Sequence, residues 1–220
     1  KNIKKIIPYN KFKFFEYKDF SKIISNLPGK SFCIDNLTCS SFNESIIKSS
    51  FDVKSFIDPC YEMKSIKNLE EIKNMKNAHI KDGLALTKFI YWIKNNIHKN
   101  LTEISAQNKL EKFRKLNKEY IFPSFNTIAG SGPNGAIIHY RASKSSNRKI
   151  NKKDIFLCDS GGQYKFGTTD VTRTLCFSKQ PNSIKDKFTK VLKGHIAVAT
   201  SNINKLKNGK QIDIKARQFL

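Results

Sequence analysis

Two aspartates eleven residues apart, Asp159 and Asp170, stand at the inner ends of two apolar runs, Ile155 to Asp159 and Val171 to Phe177. Between them lies a glycine-bearing loop, Ser160 to Thr169. Runs of this length and composition predict adjacent antiparallel strands, so the loop brings both carboxylates to one rim. Carboxylate oxygens suit hard divalent cations, and two ions about 3.5 to 4 Å apart need a carboxylate that bridges them. An Asp-Ser-Gly taken alone reads more readily as a turn cap, with Asp170 ending a second turn.

The preceding chain supplies what such a sheet needs for cover. A long helix is predicted from about Asn68, with Glu70 and Glu71 in its first turn and Ile72, Met75, His79, Leu86, Ile90 and Ile93 at helical spacing, interrupted by Gly83. His79 falls on that stripe and reads as a packed histidine rather than a ligand. A second helix starts at Thr102 and carries Ala106, Leu110, Phe113 and Leu116 on one face, with Glu103 where the helix dipole favours an acid. Phe122 to Ile128, the turn-rich Gly130 to Gly135 and the apolar Ala136 to Tyr140 predict a hairpin. A third helix from about Ser183 bears Phe188, Val191, Leu192 and His195 on one stripe, His195 again as a packed residue. Gly209 precedes a further helical start with Asp213 and Arg217.

Residues 1–66 read differently. Ser31 to Ile34 and Val53 to Ile57 are strand-like, Asn43 to Ser49 helical, and Pro59 a stop. The expected division is 1–66, the C-terminal part of an α/β domain, and 67–220, a larger α+β unit.

Charge does not redirect this reading. The formal net charge is +23, yet only five of the 41 basic residues are Arg, and the Lys are spread along the whole chain. Nucleic-acid readers favour Arg for its bidentate reach, so no nucleic-acid partner is expected and the lysines read as a solvated surface. No apolar run approaches the roughly 18 residues of a membrane span. The five cysteines, Cys33, Cys39, Cys60, Cys158 and Cys176, are odd in number and lack C-x-x-C spacing, which suits reduced thiols in a cytoplasmic protein.

The full string from Phe156 to Thr174, with Asp-Ser-Gly-Gly-Gln-Tyr at 159–164 and Gly-Thr-Thr-Asp-Val-Thr-Arg-Thr at 167–174, resembles the metal-binding strand pair of the pita-bread metallopeptidases, in particular the X-prolyl aminopeptidase branch. Asn126 to Tyr140 (Asn-Thr-Ile-Ala-Gly-Ser-Gly-Pro-Asn-Gly-Ala-Ile-Ile-His-Tyr) is similar to the family's substrate-facing hairpin, Ala78 to Gly83 to its first catalytic-domain helix, and Val191 to Ala197 with Asp213, Ala216 and Arg217 to later helices.

The resemblance implies an α+β fold, the first half of a pita-bread domain preceded by the end of an α/β domain. It implies that Asp159 binds one metal ion, that Asp170 bridges two, and that His139 faces the substrate. The ions would be Mn2+, the substrate a peptide with proline at its second position, and the parent enzyme a homodimer. The family completes its metal site with one His and two Glu on segments that would follow Leu220, so the 220 residues alone are expected to be an inactive fragment. A non-catalytic binding module of the same fold, or a degenerate remnant, is the alternative.

Overall fold

In the computed structural model, which describes residues 13–220, the chain forms two compact units divided between Asn68 and Leu69. The first twelve residues of the expected 1–66 segment lie outside the described part. In the first unit, β1 (Ser31–Ile34) and β2 (Asp52–Ser55) pair in parallel, joined by α2 (Ser41–Lys48); α1 (Phe20–Ser25) precedes them and α3 (Pro59–Ser65) follows. Parallel pairing demands a crossover, and α2 supplies it, its first amides capped by the Ser40 side chain. Ile34, Ile47 and Phe51 form the small core. Pro59 does not stop a segment. It opens α3, because a proline at the first helical position has no amide to leave unsatisfied, and Asp58 caps the turn through the Cys60 amide at 2.8 Å.

The second unit starts with α4 (Leu69–Asn96), 28 residues that run through Gly83 without a break. Its buried face is Ala78, Asp82, Ala85, Leu86, Phe89 and Ile93, a run of three- and four-residue steps. Ile72, Met75 and His79 lie off this face and are exposed, so the packed reading of His79 is corrected; its Nδ1 lies 2.9 Å from the Met75 carbonyl oxygen. The helix α5 (Glu103–Arg114) begins at a capping box in which Thr102 and Ser105 exchange hydrogen bonds. Ala106 and Leu110 are fully buried, whereas Leu116 falls beyond the helix end and is exposed.

Both helices cover one face of an antiparallel sheet ordered β4 (Ile128–Ser131), β5 (Ile155–Ser160), β8 (Val171–Cys176). Phe89, Ile93, Leu110, Phe156 and Cys158 meet in its core. Each fully buried large apolar side chain there contributes roughly 1.5–3 kcal/mol. A second small sheet sets β6 (Gly162–Tyr164) between β3 (Tyr120–Pro123) and β7 (Gly167–Thr168). The expected strand pair β5–β8 is present. The expected hairpin over 122–140 is not: β4 pairs with β5, residues 132–136 form a 3-10 turn, and no strand is formed over 137–140. Gly132 turns the chain at a φ of +57°, and its two immediate companions, Pro133 and Asn134, favour a tight turn over an extended return strand.

The last elements are α6 (Asn182–Ala199) and α7 (Gly209–Arg217), which approach so closely at Gly194 that a Cβ there would lie 2.1 Å from the Ala216 carbonyl oxygen. Phe188, Val191, Leu192 and His195 are exposed in this chain, so His195 is not the packed residue expected. All five cysteines are free thiols, Cys158 buried and Cys176 exposed.

Four elements are joined by one buried ion pair. Arg114 of α5 donates from Nε to Asp82 Oδ1 of α4 at 2.7 Å and from a terminal nitrogen to Asp82 Oδ2 at 3.0 Å. The same nitrogen reaches Ser160 Oγ at the end of β5 at 3.0 Å, and the Tyr164 hydroxyl of β6 donates to Asp82 Oδ1 at 2.8 Å. Asp82, Arg114, Ser160 and Tyr164 are all fully buried.

Truncating one member of a buried pair leaves the other charge uncompensated, so Asp82→Ala is expected to lower the unfolding free energy by about 3–5 kcal/mol, read as a shift in the denaturant midpoint. Burial pushes the Asp82 carboxyl up, but the hydrogen bonds and charge of Arg114 outweigh it and hold the group below its ordinary 3.8. A carboxylate lowered in the folded state stabilises fully above the unfolded value and loses that contribution as pH falls through the lower folded value. Stability curves should therefore decline below about pH 4, and an Asp82→Asn chain that still folds should show a flatter acid limb.

Candidate metal centre and active site

The register of the sheet decides where the two aspartates point. Asp159 pairs with Ile128 on one side and Thr172 on the other, and Ser160 pairs with Val171. Opposed residues of an antiparallel pair share a face, and so do residues two apart on a strand. Asp159 and Thr172 thus lie on one face, together with Gly130 and its partner Leu157, and Asp170 is the residue just before β8, where the alternation carried one step past Val171 brings it to the same side. The other face carries Ala129, Phe156, Cys158 and Leu175 into the helical core. Asp170 is exposed and Asp159 half-buried.

Their spacing is set by backbone rather than by side-chain packing. Gly162 donates from its amide to Thr169 Oγ1 at 2.9 Å while the Thr169 amide donates to the Gly162 carbonyl at 2.9 Å. Ser124 closes the same point, its hydroxyl donating to the Thr169 carbonyl at 2.8 Å and its amide to the Gly161 carbonyl at 3.1 Å. A Cβ on Gly161 would sit 1.9 Å from the Thr169 carbonyl oxygen, so only glycine allows the two chains to come this close. β6 and β7 then form a short tongue beyond this clamp, within what the sequence predicts as a glycine-bearing loop.

Asp159 Oδ1 is buried without a hydrogen-bond partner. An orphaned carboxylate oxygen is costly in a protein interior unless a cation or donor meets it, so the donor set fits a bound divalent ion. Two carboxylates alone do not complete such a site. Among the described residues no three His, Cys, Asp or Glu side chains converge as a metal cluster. Cys158, behind the sheet, is no alternative ligand or nucleophile, since burial pushes its thiol up to about 12.

His139 is carried by the connection from β4 to β5. The 3-10 turn folds back over the aspartate-bearing face: a Cβ on Gly130 would lie 2.8 Å from Gly135 Cα, and one on Gly135 would lie 3.6 Å from Leu157 Cβ. His139 itself is exposed and holds a left-handed backbone with φ of +54°. The structure thus brings Asp159 and Asp170 to neighbouring positions, and presents His139 on a separate loop with no hydrogen bond between it and either aspartate among the described residues.

Sequence reasoning missed the supports of this site. Asp82 follows Ala78 by four residues and precedes Leu86 by four, and Arg114 follows Leu110 by four; a charge at a core position of a stripe was the available signal. Glu103, assigned to the helix dipole, is in fact fully buried and accepts hydrogen bonds from the connection that carries His139.

Comparison with known proteins places these features in a family. The profile of metallopeptidase family M24 matches residues 73–220. Xaa-Pro aminopeptidase ApepP of Drosophila melanogaster is 40% identical over 204 residues, covering 92% of this chain and 33% of the fly protein. A probable Xaa-Pro aminopeptidase P of Paracoccidioides brasiliensis (strain Pb18) is 42% identical over 171 residues, 76% of this chain and 28% of the fungal one. The chain spans about a third of the length of the curated relatives it matches. Among solved structures, X-prolyl aminopeptidase from Caenorhabditis elegans, described as a cytosolic enzyme with a di-nuclear active site, superposes with a TM-score of 0.74 at 28% identity, over 92% of this chain and 34% of that one. A prolidase from Pyrococcus horikoshii OT3 gives 0.76 at 25% identity, over 94% and 57%. The α+β architecture is that of the pita-bread fold, of which the second unit forms part, and with a family match over two thirds of its length the chain belongs to metallopeptidase family M24.

Proposed function

We propose that this chain is part of an X-prolyl aminopeptidase that releases the N-terminal residue from peptides with proline second, acting in the cytoplasm. The observation that carries the reading is the orphaned Oδ1 of Asp159, at the end of the strand pair that Asp170 enters one residue before β8. The relatives' names and the cytosolic, di-nuclear C. elegans neighbour support it. A binding module of the same fold would have no use for two aspartates at one strand-pair end and an exposed histidine held in a left-handed turn on the connection that folds over that face.

In this reading Asp159 would hold one divalent ion and Asp170 would be shared between two. The hard oxygen donors fit Mn2+. When bound, the ions supply a nucleophile at neutral pH and Lewis-acid polarisation of the scissile carbonyl. The chain's own residues hold the geometry. The Gly161–Thr169 contact fixes the separation of the carboxylates, and Arg114 locks Ser160, the residue next to Asp159, from behind the sheet. His139, on the connection that folds over this face, donates a hydrogen bond to substrate or passes a proton. Residues 1–66 belong to the preceding non-catalytic domain and 67–220 to the first half of the catalytic one.

Two carboxylates are too few to hold two ions firmly. The 220-residue chain alone is therefore expected to show no turnover of X-Pro peptides with added manganese; turnover by a preparation whose mass ends at Leu220 would overturn this. In the full-length protein, Asp170→Asn should lose metal and activity together, whereas His139→Ala should keep its metal and lose turnover. Metal analysis that finds both ions retained in the Asp170 variant would exclude the bridging role.

A further inference from the structure

Glu103 is a fully buried carboxylate that collects donors from both ends of one connection. Its Oε1 accepts from the Ser131 amide at 2.8 Å and from Asn134 Nδ2 at 3.0 Å. Its Oε2 accepts from the Tyr140 hydroxyl at 2.7 Å and the Arg148 amide at 2.9 Å. Asn134 Nδ2 also donates to the Tyr140 oxygen at 2.8 Å. Ser131 is the last residue of β4, and Arg148 lies shortly before β5. One carboxylate therefore ties the entrance, the middle and the exit of the segment 131–148. The helix start that carries it is itself fixed to the same segment: the Glu103 amide donates to the Arg148 carbonyl at 3.1 Å, and the Ile104 amide to Asn147 Oδ1 at 3.1 Å.

The tightest consequence falls on His139. Asn134 and Tyr140 bracket it, and both converge on Glu103. Between them the chain closes two turns, the Ile137 amide on the Asn134 carbonyl and the Tyr140 amide on the Ile137 carbonyl, each at 3.2 Å. His139 is the residue of this stretch with positive φ, at +54°, and its side chain is exposed next to the buried Tyr140 ring. A left-handed conformation is disfavoured for an L-residue with a bulky side chain and persists only where its surroundings impose it. Here the contacts of both bracketing residues include the Glu103 carboxylate, with the Ser146 carbonyl as a second acceptor 3.3 Å from Asn134 Nδ2 and 3.0 Å from the Tyr140 oxygen.

We propose that Glu103 is a positioning residue for His139, acting through the Tyr140 hydroxyl to hold the left-handed turn that presents the imidazole. The inference rests on the reading of His139 as substrate-facing, and its structural half can be tested apart from that reading. Buried charged acceptors are demanding of geometry, so exchange of the carboxylate for an amide turns one acceptor oxygen into a donor facing donors.

The experiment is nuclear magnetic resonance on the isotope-labelled chain, which has four histidines to assign. The positive φ of His139 gives a strong intraresidue amide-to-Hα cross-peak, and contacts between Phe156 and Leu175, paired across β5 and β8, report the intact sheet. Glu103→Gln and Tyr140→Phe are expected to lose the His139 signature while keeping the sheet contacts. Should Glu103→Gln fail to fold, Tyr140→Phe decides, since it leaves the carboxylate and its other donors in place. In full-length protein that turns over X-Pro peptides, Tyr140→Phe should lower kcat by up to about 100-fold with bound metal retained and KM changed far less. A folded Tyr140→Phe chain with the His139 signature unchanged overturns the proposal. A His139→Ala enzyme of full activity overturns instead the substrate-facing reading beneath it, and leaves the measured backbone result standing.

Discussion

The Asp82–Arg114 pair is the interaction on which the second unit depends. A bidentate ion pair without solvent is of modest net value, because desolvating both charges offsets most of their attraction. Its role here is to specify geometry. With Ser160 and Tyr164 as further partners, it permits one placement of α4 and α5 against the strand end that carries Asp159. An apolar core of Phe89, Ile93 and Phe156 could tolerate a small slide between layers; a fork of fixed hydrogen bonds cannot.

The candidate site is then built by a division of labour between the two faces of one sheet. Apolar residues alternate inward along β5, at Phe156 and Cys158, and hold the strand to the helices. The residues between them, Leu157 and Asp159, face the opposite way and meet Thr174 and Thr172 of the neighbouring strand, which Asp170 immediately precedes. A shift of register by one residue would send Asp159 into the apolar core, so the core packing and the site geometry enforce the same alignment. Gly161 adds a local constraint where the strands end, by admitting a backbone contact that any side chain would block.

Much of this was legible in the residues. The alternation at 155–159 and 171–177 predicted the strand pair, and the acids at its inner ends predicted the shared rim, because period-two patterning maps directly onto a half-buried sheet. The 122–140 segment was misread for a reason equally physical. Its β-prone and apolar residues satisfy a hairpin pattern, but the partner of β4 lies some 25 residues on, and no local pattern ranks a distant partner above a near one. The histidines of α4 and α6 were misplaced because a tolerance of one residue in helical phase rotates a side chain by about 100°, from core to surface. Asp82, Arg114 and Glu103 escaped notice since a charged residue is assumed to be solvated until its partners are known, and all of their partners lie far away in sequence.

The unpartnered oxygen of Asp159 has a thermodynamic consequence of its own. The cost of withdrawing it from water arises when the sheet forms, and is borne by the same core that folds the unit, so on the proposed reading a cation would meet an oxygen already stripped of solvent. Folding and ion uptake would then share one equilibrium: an ion held at that position would favour the folded state by mass action, and the free concentration of divalent ions would become a variable of the melting curve as much as of chemistry.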